Sequence, residues 1–359
     1  MKTALYSPEL FRGEGGIARI LRLYLRALCE LAAPGDTVAS VVLNDRGGDD
    51  PRLPRYSTPA LAERVGCDRS KARFVRAALA AAHGADRIVC GHLHLLPVAW
   101  LAQLVHRRPR LHLVAHGIDV WRPYTRLERR ALRATERILC ISDYTRRQML
   151  RFCPELDPAR LRIVPNTFDP GVAPTAAPAA RPAGPGPRLL TVGRLSRDDT
   201  YKGFDTLIEA LPLLRRRHPA ASLRVVGGGD DAARLRALAA RLGVAGQVAF
   251  TGTIDDAALA AEYAACDLFA LPSRKEGFGL VYLEAMAYGK PCVAARAGGA
   301  PEVVTPAVGA LAEYGNIPEI AAAVNDLVLH PRDPAAIRAH AETFAFPAFR
   351  RRLAAALAP

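Results

Sequence analysis

Downstream of residue 187 the chain alternates short apolar runs with longer amphipathic ones. RLLTVGRL (188–195), SLRVVG (222–227), QVAFTG (247–252), DLFALP (267–272) and PCVAAR (291–296) read as buried strands. Between them, FDTLIEALPLLRRRH (204–218), DDAARLRALAARLG (230–243), DDAALAAEYAAC (255–266) and GLVYLEAMAYG (279–289) read as helices. Strands without a polar face need helices on both sides, so this half is expected to form a parallel, doubly wound α/β sheet. The first half repeats the pattern more loosely. Strands are expected at TALYS (3–7), TVASVVL (37–43), RIVCGH (87–92), LHLVAH (111–116) and RILCIS (137–142), with a long helix over GIARILRLYLRALCELA (16–32). Between the halves, PGVAPTAAPAARPAGPGP (170–187) holds six prolines in 18 residues, which excludes a helix or central strand and marks a linker. The expected organisation is one domain over 1–169, the linker over 170–187 and a second domain over 188–343. A closing helix is expected over 344–359. Ligands of such sheets bind at the carboxyl ends of the strands, in the cleft expected between the domains.

Composition narrows the class. Half of the 359 residues are hydrophobic and 23% are charged, as in ordinary globular proteins. No uninterrupted apolar run reaches the roughly 18 residues of a membrane span. The opening MKTALYSPELFRGEGG breaks any apolar stretch with a proline and a glutamate, unlike a secretory signal. Seven scattered cysteines with no C-x-x-C pair argue against a disulfide framework or a zinc site, and point to a cytoplasmic setting. The net charge of +14 is uneven: residues 1–170 carry +11 and the remainder +3. That asymmetry points to an anionic partner for the first half, although arginines that merely solvate helix faces account for much of it. Only five residues are lysine, at positions 2, 71, 202, 275 and 290, so a lysine here is a conspicuous point charge.

Candidate chemistry concentrates in SRKEGFGLVYLEAMAYGKP (273–291). Glu276 lies in a loop after a strand, Gly277 and Gly279 follow, and a helix is expected from about Leu280 with Glu284 one turn in. The backbone N–H groups between the two carboxylates are expected to be free at a helix N-terminus, which favours a phosphate. A sugar on Glu276, a diphosphate on the helix end and a ribose on Glu284 would use all three features. By itself the pair is equally explained as acidic residues favouring a helix start. LLTVGRLSRDDTYKGF (189–204) adds Arg194 just after a strand and Lys202 before the next helix, a guanidinium fork and a point charge suited to a departing diphosphate.

Arg194 and Lys202, the E-x7-E pair Glu276 and Glu284, and GGxPEVV at 298–304 strongly resemble retaining glycosyltransferases of family 4, which have the GT-B fold. The pattern is close over 188–304. The first half matches in outline through GEGGIAR (13–19), HGIDVW (116–121), ISDYT (141–145) and IVPNTFD (163–169). The resemblance implies two Rossmann-like domains facing across a cleft, with the last segment packed back on the first. It implies that Arg194 and Lys202 hold the donor diphosphate. Glu276, with the backbone of Phe278, Gly279 and Leu280, would bind the donor sugar, and Glu284 the ribose. Gly16 would approach the diphosphate from the first domain, and His116 would contact the sugar near the reacting carbon. The SRDDTY loop between the two cations is insertion-like, and its acidic pair, Asp198 and Asp199, is expected to face away from the phosphates.

His116 taken alone reads as a core histidine; only the resemblance lifts it into the site. His83, His92, His94, His106 and His112 have no motif support and are expected to be structural or surface residues. GGGDDA (227–232) has the outline of a dinucleotide fingerprint, but Asp230 and Asp231 would oppose a pyrophosphate, so it is expected to be a structural turn with a helix cap. Basic helices are expected over 124–140, with Arg126, Arg129, Arg130, Arg133 and Arg137, and over 70–84, with Lys71, Arg73 and Arg76. They suit either a solvated face or an anionic membrane surface. No zinc finger, RNA-binding sheet signature or basic tail supports nucleic-acid binding.

The expectation is a cytoplasmic enzyme, peripheral to the inner face of the membrane. It would transfer a sugar from a UDP or GDP donor to a lipid-linked or saccharide acceptor, in polysaccharide or glycolipid synthesis. The resemblance implies retention of configuration, and no metal is required if the cations stabilise the leaving group. An NAD-dependent oxidoreductase, resting on GGGDDA, and a non-catalytic nucleotide-sugar-binding protein remain as alternatives.

Overall fold

The computed structural model describes residues 1–13, 15–48, 50–169, 171 and 186–358. The proline-rich run expected as a linker lies outside them, apart from Gly171, Gly186 and Pro187, as does Glu14 of GEGGIAR. The chain divides into two compact units, Met1–Asp169 with Phe346–Pro359, and Pro170–Ala345.

The first unit runs β1 (Lys2–Ser7), α1 (Gly16–Glu30), β2 (Thr37–Val42), β3 (Leu61–Gly66), α2 (Lys71–Ala82), β4 (Arg87–Cys90), α3 (Leu96–His106), β5 (Arg110–Ala115), α4 (Arg126–Ala134), β6 (Arg137–Cys140), α5 (Asp143–Phe152) and β7 (Leu161–Ile163). All pairs are parallel, in the order β3-β2-β1-β4-β5-β6-β7. The second unit runs β8 (Arg188–Val192), α6 (Phe204–Arg217), β9 (Ser222–Val226), α7 (Ala232–Arg241), β10 (Val248–Gly252), α8 (Asp256–Ala265), β11 (Leu268–Leu271), α9 (Leu280–Ala287), β12 (Cys292–Ala295), α10 (Ala300–Val303), β13 (Gly309–Ala312), α11 (Ile317–Leu329) and α12 (Pro334–Glu342). Its sheet is also parallel, ordered β10-β9-β8-β11-β12-β13. The last helix, α13 (Phe346–Leu357), belongs to the first unit.

Three strands escaped the sequence pattern. Strand β3, LAERVG, is a half-exposed edge carrying Glu63 and Arg64, β7 has three residues, and β13 is GALA, too small to read as an apolar run. The basic helix expected over 124–140 ends at Ala134, and Arg137 begins β6.

Alternation of side chains places the core on both faces of the first sheet. Tyr6 of β1 meets Phe74 of α2 edge to face at 6.0 Å. Its neighbour Leu5 points to the opposite cluster, which contains Tyr24 and Phe349. Those two rings meet at 5.0 Å and 82°, and Arg350 pairs with Glu30, so α13 is held against α1 by both an aromatic contact and an ion pair. In each sheet the strand order reverses once, between β1 and β4 and between β8 and β11. Connections leave such a pair of strands in opposite directions and open a crevice at their carboxyl ends.

Candidate active site

The second unit's reversal point holds the two predicted cations. Arg194 follows β8, and a short 3-10 segment, Arg197–Lys202, ends on Lys202. The loop is braced from behind by GGGDDA. Leu195 N–H donates to the Gly228 carbonyl at 2.9 Å, and Asp231 N–H donates to the Leu195 carbonyl at 3.0 Å. Gly227 and Gly229 have φ of +132° and +151°, and a Cβ on either would stand 1.9 Å from a carbonyl oxygen of the Arg194 loop. The glycines are thus spent on close backbone packing rather than on a cofactor. The expected cap is absent: Asp231 sits at the start of α7 but pairs with Arg234 at 2.6 Å instead of capping.

Asp199 corrects a second expectation. Asp198 is exposed, but Asp199 turns inward and joins the cations. Arg194 donates Nε and Nη2 to Asp199 Oδ2 at 2.9 and 2.7 Å, Lys202 Nζ lies 3.5 Å from the same oxygen, and the Tyr201 hydroxyl donates to Oδ1 at 3.0 Å. Two cations brought this close repel each other unless an anion lies between them, and Asp199 is that anion. Burial disfavours its ionised form. The Arg194 hydrogen bonds, the Lys202 charge and the Tyr201 hydroxyl outweigh that and hold its pKa below the usual carboxylate value. Arg194 remains 71% exposed, so solvent screens the pair and little stability rests on it.

Glu276 stands beyond the carboxyl end of β11, the strand next to β8. The backbone N–H groups of Phe278, Gly277 and Gly279 lie near its carboxylate and favour the ionised form. Crowding by protein pushes the Glu276 pKa up, opposed by the nearby Lys202 ammonium and those three amides. Gly279, at φ +95°, starts α9 at Leu280; a Cβ there would sit 2.2 Å from the Tyr282 ring. GGAPEVV braces the other side: Gly299 N–H donates to the Glu276 carbonyl at 2.7 Å. Phe278 is buried against Phe344 with rings 5.6 Å apart. Glu284 is only 3% exposed, and the Tyr263 hydroxyl, which no motif had flagged, donates to it at 2.8 Å. Arg194, Lys202 and Glu276 thus come together with Asp199 and Tyr201, whereas Glu284 lies deeper, on α9 against α8.

In the first unit, Gly16 opens α1, exposed, after a glycine N-cap that offers no side-chain bond. His116 follows β5. Its Nε2 lies 2.8 Å from the Gly91 carbonyl, so Nε2 carries the proton and Nδ1, which has no hydrogen-bond partner among the described residues, is the acceptor. Burial lowers the His116 pKa to about 4, and the imidazole is neutral at physiological pH. His92, expected to be merely structural, stacks beside it at 6.3 Å and lies 3.8 Å from Asp119. Burial, together with the neighbouring imidazoles, brings His92 to about 3. Asp119 is pushed up to about 7 by burial, against the pull of nearby amides and Arg122. Sequence alone hid this cluster because His92 follows β4 and Asp119 follows β5, and only strand pairing joins them.

The basic helices α2 and α4 both pack on α3, which leaves Leu101, Leu104 and Val105 exposed by 43, 51 and 57%. Of the α4 arginines, Arg129 is spent on Glu155 at 2.7 Å, while Arg126, Arg130 and Arg133 are exposed. No helix among the described residues is long and apolar enough to cross a membrane.

Comparison with known proteins places this geometry. Residues 177–344 match the family described as glycosyl transferases group 1, and residues 15–172 match glycosyltransferase family 4. The chain is 39% identical to the GDP-mannose-dependent alpha-(1-6)-phosphatidylinositol monomannoside mannosyltransferase of Mycolicibacterium smegmatis, over 67% of each chain. It is 34% identical to the D-inositol 3-phosphate glycosyltransferase of Rhodococcus opacus, over 88% of this chain and 74% of that one. Among solved structures, Anabaena Alr3699/HepE in complex with UDP shares the fold at a TM-score of 0.79 and 23% identity, over 99% of both chains.

Proposed function

The chain belongs to the group 1 glycosyltransferases of family 4, and from that premise we propose that it transfers a hexose from a UDP or GDP donor to an acceptor hydroxyl with retention of configuration. The observation that carries this reading is the convergence of Arg194, Lys202 and Glu276 at the reversal point of the second sheet. As the sugar–phosphate bond breaks, charge builds on the departing diphosphate, and a guanidinium fork with an ammonium stabilises it without a metal ion. In the retaining path the acceptor oxygen attacks the anomeric carbon on the face the phosphate leaves. The acceptor proton passes to the phosphate oxygen. Glu276 holds the sugar with the backbone of Phe278, Gly279 and Leu280, and Glu284 takes the ribose. Gly16 lets the first unit's backbone approach the diphosphate. His116 orients the sugar through Nδ1 as an acceptor, and its low pKa suits it to positioning rather than proton transfer.

The acceptor is a lipid-linked or saccharide hydroxyl, in the synthesis of a cell-surface polysaccharide or glycolipid. Both named relatives act on phosphoinositol compounds, and one of them uses GDP-mannose. The exposed apolar residues of α3, flanked by basic α2 and α4, support peripheral attachment of this enzyme to the anionic inner face of the cell membrane. A thermal-shift panel of UDP- and GDP-sugars, with NAD as the control, tests the donor: a nucleotide sugar raises the melting temperature and NAD does not. Stabilisation by NAD alone would overturn the reading. The anomeric configuration of the product, read by NMR, tests retention.

A further inference from the structure

Away from the residues assigned above, the first unit has a cavity of about 360 Å³ lined by Phe11, Arg12, Asp45, Arg46, Asp50 and Arg64, among others. That volume lies within the range of roughly 300–1,000 Å³ typical of small-molecule sites. The lining residues come from the loop after β1, the loop after β2 and strand β3, so the cavity belongs to the carboxyl-end rim of the sheet.

Its acids are already spent. Asp45 is 2% exposed and accepts the backbone N–H groups of Leu10, Phe11 and Arg12 at 3.1, 3.1 and 3.2 Å, and Arg64 Nη2 at 2.7 Å. Asp50 accepts Arg52 through both backbone and side chain, at 3.0 and 2.9 Å. Its cations are not all spent. Arg12 uses Nη1 on the Asn44 carbonyl and on Asp68, at 2.8 and 2.6 Å, which leaves its other guanidinium donors. Arg46 is exposed and makes no ion pair with a described residue. Arg64, with its side chain 7% exposed, keeps a buried Nε without a hydrogen-bond partner among the described residues. Neutralised acids beside arginines with donors to spare make a site for an anion.

We propose that this cavity holds the phosphate of a phosphorylated acceptor, bound by Arg46 and Arg12 and fixed in position by the buried Asp45–Arg64 pair. The proposal rests on the glycosyltransferase reading, in which the second unit's cations take the donor diphosphate and the first unit the acceptor. Asp45 ties both functions together, because the loop it pins at residues 10–12 runs on to Gly16.

The test is calorimetry on the full chain saturated with UDP and GDP, so that nucleotide occupies the second unit's cations. Probes are myo-inositol 1-phosphate, myo-inositol, and phosphatidylinositol in phosphatidylcholine vesicles. The expectation is saturable binding of a phosphorylated probe, weakened by salt, and none of myo-inositol. Binding of the soluble probe alone assigns a free phosphate ester, and binding of the vesicles alone assigns a lipid headgroup. Arg46→Gln should lower the affinity about tenfold, the scale of one charge-assisted hydrogen bond, with Arg46→Lys recovering part of it. Arg12→Gln should act in the same direction. Unchanged affinity in both glutamine variants, or failure of every phosphorylated probe to bind, overturns the proposal. Nucleotide binding, measured on the same samples, reports separately on the donor reading.

Discussion

The two sheets present their candidate residues in different ways. In the second unit the Arg194 loop and the Glu276 loop are each locked from behind by glycine turns, GGGDDA and GGAPEVV, through contacts that leave no room for a side chain. In the first unit His116, His92 and Asp119 meet as buried side chains with hydrogen-bonding atoms left over. Backbone-locked charges suit a site that must present the same cations at every turnover, since preorganised charge needs no rearrangement as the transition state forms. Buried neutral imidazoles suit recognition of hydroxyl groups, where an acceptor atom matters more than charge.

The sharpest way to break this comparison is kinetic. Lys202→Ala and Arg194→Ala should each cost on the order of 100-fold in turnover with the fold intact by circular dichroism. His116→Ala, which removes one neutral acceptor, should cost only about fivefold. A larger loss from His116 than from Lys202 would reverse the division of labour. A second experiment sharpens the picture within the second unit. Glu284→Ala should weaken binding of the bare nucleoside diphosphate, while Glu276→Ala should spare it and damage use of the sugar donor. Calorimetry with both ligands decides, and the opposite pattern would exchange their roles.

Asp199 offers a smaller effect of opposite sign. It lies on both cations, so an incoming diphosphate competes with it. Asp199→Asn should tighten nucleoside diphosphate binding a few-fold, limited by the exposure of Arg194. Weaker binding would mean that Asp199 chiefly organises the cations.

A different readout, stability, tests the first unit. The folded-state pKa of Asp119 is raised to about 7, above its unfolded value near 4, so the native state holds the proton more tightly. Its contribution is full below pH 4 and is lost as pH rises toward 7. The stability of Asp119→Asn relative to wild type, from urea melts, should therefore grow between pH 4 and 7 and then level off. A flat difference would show that Asp119 ionises normally.

What the chain alone carried was what depends on near neighbours in sequence. Apolar runs between amphipathic segments set out ten strands of the two sheets, because each run must bury both faces. Arg194, Lys202 and Glu276 stood out because they lie in the loops that follow β8 and β11, and Glu284 because it lies one turn into α9. Tertiary structure decided which partners those groups meet. Asp199 was expected to face away from the phosphates and instead pairs with Arg194 and Lys202, since opposite charges on one loop attract unless something separates them. The Tyr263–Glu284 bond, the His92–Asp119 contact and the arginine-lined cavity over β1, β2 and β3 join residues that are separated in sequence and adjacent only through packing. A buried polar group takes the partner that packing supplies, and no local pattern encodes which one that is.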